Sequence, residues 1–398
     1  MHANLVTGLR LILLLSFLGV RVVGTTYAAA YIPQDGRQVL ERLPVKNDPA
    51  QKQLRELRAQ LQSDPNNLSI AVDLSKRYIA MSRAEADPRY LGYAQAALKQ
   101  WWAQPNPPPE LRLVRATILQ STHRFSEALA DLDAVLKLND RNAQAWLTRA
   151  TILQVQGEYQ QAGQSCARLH RMTSYLIATT CLANVANLNG DARRSYQSLQ
   201  AALSRDQDAP LLIQVWVLTL LGEMADRQGL SAETESYFRR ALAIDRTDSY
   251  LLGAWSDHLL DRGKYDDVIA LLKTHTKVDG LLLRYAIALD RRQSASAPEM
   301  IKLLRDRFAA AMLRGDTVHQ REQSRFELQL MRNPQRALQL AQLNWQIQRE
   351  PADARVLLEA AAAARDPAAA RPVLDWMKST KLEDAVLAPL KNQLGGNT

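Results

Sequence analysis

Six residues occur twice in this chain, Arg115-Ala116-Thr117-Ile118-Leu119-Gln120 and Arg149-Ala150-Thr151-Ile152-Leu153-Gln154, at an offset of 34 (149 − 115). A period near 34 residues is the length of one helix–turn–helix unit of an α-solenoid, which buries its apolar face only against its neighbours. Such an array grows along one axis, so 398 residues need not divide into two or three globular domains. The composition agrees: 16 glycines, 16 prolines and 6% aromatics among long Ala/Leu/Arg/Gln/Glu stretches favour helix over strand.

Residues 1–30 read differently. Arg10 closes a short basic region, Leu11 to Val20 form an apolar run, and Ala28-Ala29-Ala30 offers a small-residue cleavage site. This is the pattern of a secretory signal peptide. The apolar run, at ~10–13 residues, falls short of the ~20 that span a bilayer. Arg21 sits in the cleavage region, so an uncleaved anchor stays open as the alternative. No cysteine precedes Cys166, which excludes a lipoprotein start. The expected address is the bacterial periplasm or cell envelope. No later stretch reads as a membrane span: the most apolar, Leu211 to Met224, is short and carries Gln214.

Removal of the signal takes away Arg10 and Arg21, leaving 48 basic against 41 acidic residues, a charge of +7. Between Arg291 and Arg336 ten Lys/Arg face five acids, so +5 of that excess is local. The window is either a set of solvated helix faces or a patch for anionic lipid, glycan or an acidic protein. No aromatic-interleaved basic motif points to nucleic acid. The two cysteines, Cys166 and Cys181, fall on neighbouring helices. In an oxidising compartment they read as a disulfide, and otherwise as two buried thiols. Too few ligands cluster for a metal site.

The units resemble tetratricopeptide repeats. In the best copy, from Ala143 to about Leu176, Trp146, Ala150, Leu153, Gly157, Tyr159 and Ala162 stand where that pattern wants them. The copy before it has Ala116, Leu119, Phe125 and Ala128, with His123 in the glycine place. Later copies centre on Gly190, on Leu221-Gly222 with Gly229, Phe238 and Ala241, and on Trp255, Leu259, Gly263 and Tyr265. The turn glycines step by 33, 39 and 34 (190 − 157, 229 − 190, 263 − 229). Before them, 31–108 reads as a helical region with a degenerate repeat, closed by Pro105-Asn106-Pro107-Pro108-Pro109. Core repeats occupy 109–279. Residues 280–398 read as degenerate repeats or a cap, with helices over 281–292, 298–313, 320–331, 334–349, 354–365 and 372–380. The resemblance implies an all-α, right-handed superhelical solenoid.

Chemistry is not legible. His123, His170, His258, His275 and His319 are scattered, and no Gly-x-Ser-x-Gly elbow, phosphate loop or CxxC motif occurs. No catalytic residue, metal or cofactor is expected. Some exported peptidoglycan lyases carry a helical solenoid, but they append a catalytic domain for which no length remains here. In the family resembled, first helices line a concave groove. That implies a partner face of Thr117, Gln120, Thr151, Gln154, Asn184 and Asn187, continued by Trp216, Glu223, Arg227, Tyr250, Asp257 and Asp261. Leu113 and Leu147 stand where the family's carboxylate-gripping lysine would be, which disfavours that mode. The resulting expectation is a non-enzymatic envelope scaffold that binds another envelope protein or a peptide segment of one. The alternative is an export accessory that binds anionic glycan or lipid through 291–336.

Overall fold

The computed structural model describes residues 49–85, 87–315 and 318–395; the signal segment lies outside them. From Gln53 onward the chain is one compact unit. Every regular element among the described residues is helical. α1 (Pro49–Ser63), α2 (Leu68–Glu85), α3 (Arg89–Ala97) and the single turn α4 (Lys99–Trp102) come first. Eight antiparallel pairs follow: α5 (Pro109–Ser121) with α6 (Phe125–Leu138), α7 (Ala143–Val155) with α8 (Tyr159–Arg168), α9 (Tyr175–Asn187) with α10 (Ala192–Arg205), and α11 (Leu211–Arg227) with α12 (Ser231–Ile244). The others are α13 (Ser249–Asp261) with α14 (Tyr265–Leu272), α15 (Asp279–Arg291) with α16 (Ala297–Leu313), α17 (Gln320–Gln329) with α18 (Pro334–Trp345), and α19 (Pro351–Ala364) with α20 (Pro367–Ser379). The chain then enters α21 (Ala388–Gly395).

One local device makes each pair. Between its two helices stands a residue with positive φ: Gly157 (80°), Gly190 (79°), Gly229 (74°) and Gly263 (67°), but also His123 (58°), Gln293 (52°), Arg332 (56°) and Arg365 (57°). In seven of the eight turns the following N–H returns to a carbonyl five residues back, as Glu158 does to Leu153 O (2.8 Å) and Ser294 to Leu289 O (3.0 Å). The exception is the turn at Arg332, where Asn333 N–H reaches Glu327 O (2.9 Å). This closure satisfies the last carbonyls of the first helix and reverses the chain. Glycine adopts such angles without strain, whereas other residues pay about 1–2 kcal/mol.

Helix starts follow their capping residues. Asn142, Ser174, Asp248, Asn333 and Asp366 each accept a backbone N–H of the first turn. Three expected boundaries shift by three or more residues. α20 begins at Pro367, because Asp366 caps Ala369 N and Pro367 suits the first turn; Pro372 lies inside the helix. α19 begins at Pro351, where Glu350 and Asp353 form a reciprocal capping box. α18 stops at Trp345 rather than running to Arg349. Trp101 and Trp102, both partly buried, pack against the α1–α5 core.

Gly222 in α11 lies against the Phe238 ring of α12, where an added Cβ would stand 2.6 Å from a ring carbon. This close approach is what a small residue at that position permits. The Cys166 and Cys181 sulfurs are bonded, with Cα atoms 5.5 Å apart, tying α8 to α9.

The array does not stay open. One apolar core runs through α9–α17. A second joins α7–α9 to α18–α21, gathering Leu153, Tyr159, Val185 and Leu188 with Trp345, Trp376, Leu382 and Leu387. Across this seam Arg349 N–H donates to Val155 O (2.7 Å) and Ala385 N–H to Arg227 O (2.8 Å). The C-terminal pairs thus fold back over the inner ends of the early first helices.

The turns yield a paired expectation. Gly263→Ala, whose added methyl meets nothing closer than Tyr265 at 4.0 Å, lowers unfolding free energy by about 1 kcal/mol through backbone strain alone. Gln293→Gly, at an exposed site, raises it by roughly 0.5–1 kcal/mol. Urea denaturation of both variants checks the signs.

Candidate functional site: the inner face of the first helices

First helices α7, α9, α11, α13, α15, α17 and α19 all send side chains into two adjoining cavities of about 160 and 340 Å3. The spacing explains why. Glu223/Arg227, Asp257/Asp261, Arg321/Arg325 and Arg355/Glu359 are four apart, so each pair projects from one helix face. Eight acids (Glu223, Asp226, Asp257, Asp261, Glu322, Glu350, Glu359, Asp384) and five arginines (227, 284, 321, 325, 355) line the walls.

Most of these charges are paired across units. Asp257 on α13 receives Arg284 Nε of α15 at 3.0 Å and also Arg325 of α17. Burial opposes its charge, but the two guanidinium groups outweigh that and hold its carboxyl well below the usual range. Arg355 of α19 clasps Asp261 with two bonds (2.8 and 2.6 Å) and reaches Glu359 (2.7 Å). Arg321 lies 3.2 Å from Glu322, 3.3 Å from Asp353 and 3.5 Å from Glu350.

Three carboxyls are less well matched. Burial raises Glu223, partly offset by Arg227, and its carboxylate accepts the Tyr250 hydroxyl at 2.8 Å. Burial also raises Asp384, which accepts the N–H groups of Val386 (2.9 Å) and Leu387 (3.1 Å). Burial, then the neighbouring Asp353, pushes Glu350 from 4.5 up to about 7 against the pull of Arg321. A carboxyl near neutrality in a cleft has the look of a general acid. Here Glu350 also caps α19 and faces Arg321, which is a structural duty.

The residues expected on the partner face separate into two groups. Gln154, Asn184, Glu223, Arg227, Tyr250, Asp257 and Asp261 line the cavities. Asn184 Nδ2 donates to Gln154 Oε1 (3.0 Å), and Tyr250, 62% exposed, stands at the rim. The other five lie elsewhere. Asn187 is 1% exposed; it donates to Ala192 O and accepts Arg227 at 2.8 Å, because the helix phase turns it toward α10. Thr117 and Thr151 donate to Leu113 O and Leu147 O of their own helices (3.0 Å each). Trp216 packs, half-buried, against the α9–α17 core, and Gln120 is half-buried outside either cavity.

Arg284, Arg321, Arg325, Glu350, Arg355 and Asp384 join the site although the repeat pattern does not point to them. Arg321 and Arg325 belong to the basic window 291–336, yet both enter the cavity rather than a solvated face. The available signal is complementary: acids four apart at 257/261 and arginines four apart at 321/325. Of the ten cations between 291 and 336, at least six meet carboxylates among the described residues: Arg292 Asp266, Lys302 Asp306, Arg307 Asp279, Arg321 Glu322, Arg325 Asp257 and Arg332 Asp290. Among the described residues no group of three or more His, Cys, Asp or Glu is placed to hold a metal. No described helix is long and apolar enough to cross a membrane.

No family model matches the sequence, and no curated protein matches it. Among solved structures it is similar to Cut9 from the APC/C hetero-tetramer Cut9–Hcn1, at 15% identity and TM-score 0.39, over 78% of this chain and 52% of that one. The chain therefore spans about half the length of Cut9. It is also similar to a tetratricopeptide repeat protein from Parabacteroides merdae (14%, TM-score 0.36, 72% and 98% covered). A third is an IFIT1 monomeric mutant with Gppp-AAAA (15%, TM-score 0.43, 88% and 86% covered). At these scores the likeness concerns the fold alone. The chain is an all-α, tetratricopeptide-like solenoid on its own repeated geometry.

Glu350 makes stability pH-dependent. Its folded carboxyl holds a proton more tightly than the unfolded one, so the stability it contributes is full below about pH 4.5 and lost as pH rises through about 7. Glu350→Gln keeps the capping acceptor and removes the titration. At pH 8 the variant is expected to be more stable than the parent by about 1–2 kcal/mol, and at pH 4.5 to show no such gain. Denaturant melts at both pH values check it.

Proposed function

We propose that the protein is an exported, non-enzymatic scaffold that holds a peptide segment or helix of another envelope protein against its first-helix face. The observation that carries this reading is the convergence of Gln154, Asn184, Glu223, Arg227, Tyr250, Asp257 and Asp261, from four successive first helices, on two adjoining cavities. Amides, a phenol and mismatched carboxyls suit an extended backbone or a basic side chain. Eight acids against five arginines favour a partner segment that carries Lys or Arg. The disulfide between Cys166 and Cys181 supports an oxidising compartment such as the periplasm.

An anionic glycan or lipid on the 291–336 window has less support, because at least six of its ten cations already face carboxylates among the described residues. A photo-crosslinking amino acid in place of Tyr250, compared with one at exposed Arg193, tests the scaffold reading in cells. The expected result is a discrete envelope-protein adduct from position 250 that position 193 does not form. Identical adduct patterns from both positions would contradict it.

A further inference from the structure

Resting on the reading that the first-helix face receives the partner, we infer that the closure is a latch: α17–α21 open from α7–α13 as one body along a single seam. While the latch is shut, α17, α19 and residues 384–387 wall the cavities of that face and leave Tyr250 at the rim.

The seam differs from every other joint in the array. Helices that run in lengthwise contact belong to the same unit or to adjacent units. Across the seam, by contrast, helix ends and turns meet, and single ion pairs join α13 to α17 and α19. Arg349 N–H bonds Val155 O, Ala385 N–H bonds Arg227 O, and Tyr159 Oη lies 3.4 Å from Arg349 O. Both cavities lie beside these contacts, so the seam divides into an apolar part around Tyr159, Trp345 and Trp376 and a polar part around α13.

Three successive turn glycines form its track. A Cβ on Gly157 would stand 3.3 Å from Trp376 Nε1, one on Gly190 3.1 Å from Lys381 Cβ, and one on Gly229 3.7 Å from Ala385 Cβ. At the next turn, Gly263, a Cβ would meet only Tyr265 of its own unit, at 4.0 Å. Glycine at Gly157 and Gly190 therefore serves the φ angle and the close approach of the C-terminal segment together, while at Gly229 an added methyl would make ordinary contact.

The energetics favour sub-global opening. The long-range ion pairs Arg325–Asp257 and Arg355–Asp261 regain water when the seam parts, which offsets their loss. The closed state also leaves Trp376 Nε1 buried without a hydrogen-bond partner among the described residues, a cost that opening relieves. Opening the seam exposes the apolar residues around Trp345 and Trp376, whereas pulling α11 from α12 would expose two helices packed along their whole length in the larger core.

Native-state hydrogen exchange on the mature full-length chain tests the latch without a partner. The Arg349 and Ala385 amides report the seam, and the Leu220 and Met224 amides of α11 report global unfolding. The seam amides are expected to exchange together, at least tenfold faster than those of α11. Arg355→Glu should speed them several-fold further, and Asp261→Arg added to it should restore protection. Seam amides that exchange at the α11 rate in the parent chain would overturn the latch, whether or not Arg355→Glu folds. A fixed seam with an intact position-250 adduct would sink the latch alone, and a mobile seam with no specific adduct would sink the scaffold reading alone.

Discussion

The left-handed residue between the two helices of each unit is the constraint on which the rest depends. It sets how each first helix meets its second, and it recurs eight times, at residues 123, 157, 190, 229, 263, 293, 332 and 365. Similar turns bring all first helices to one face and all first turns to one edge. The face becomes the ion-paired cavity, and three of the turns become the surface on which the C-terminal segment rests.

Closure changes what a repeat array means energetically. In an open solenoid each unit interacts only with its neighbours, and stability adds along the chain. Here the pairs α7/α8, α9/α10 and α11/α12 also meet residues 349 and 376–385. Charges that would be solvated on an open inner face are held between units, with Asp257 between two arginines and Arg355 between two acids. Carboxyls less well matched keep their protons more readily, as Glu350 does. Both kinds of group share the cavity, which makes it a structural joint and a recognisable surface together.

The repeats are legible in the sequence because their signals are local. Gly157, Gly190, Gly229 and Gly263 mark turns by the angles they allow, and all four have positive φ. The C-terminal units are harder to read because Gln293, Arg332 and Arg365 adopt the same angle without glycine to announce it. Helix starts at 351 and 367 depend on the side-chain caps of Glu350 and Asp366, which a periodicity reading places late. Helical phase decides Asn187: its neighbour Asn184 lines the cavity while it turns into the packing with α10. The seam leaves only the complementary spacing of acids at 257/261 and arginines at 321/325 as a sequence signal. It joins residues 68 positions apart in Arg325–Asp257 and 190 apart in Arg349–Tyr159, and no single-helix pattern encodes which residues pair.

Everything at the cavity follows from the C-terminal segment resting against the first turns of the early units. The most direct measurement of that contact is disulfide formation in Gly229→Cys/Ala385→Cys, where the two Cβ positions are 3.7 Å apart, within the span a disulfide needs. Near-complete oxidation under mild oxidant, with unchanged helix content, is the expected result. Two thiols that stay fully titratable in a folded chain would contradict it.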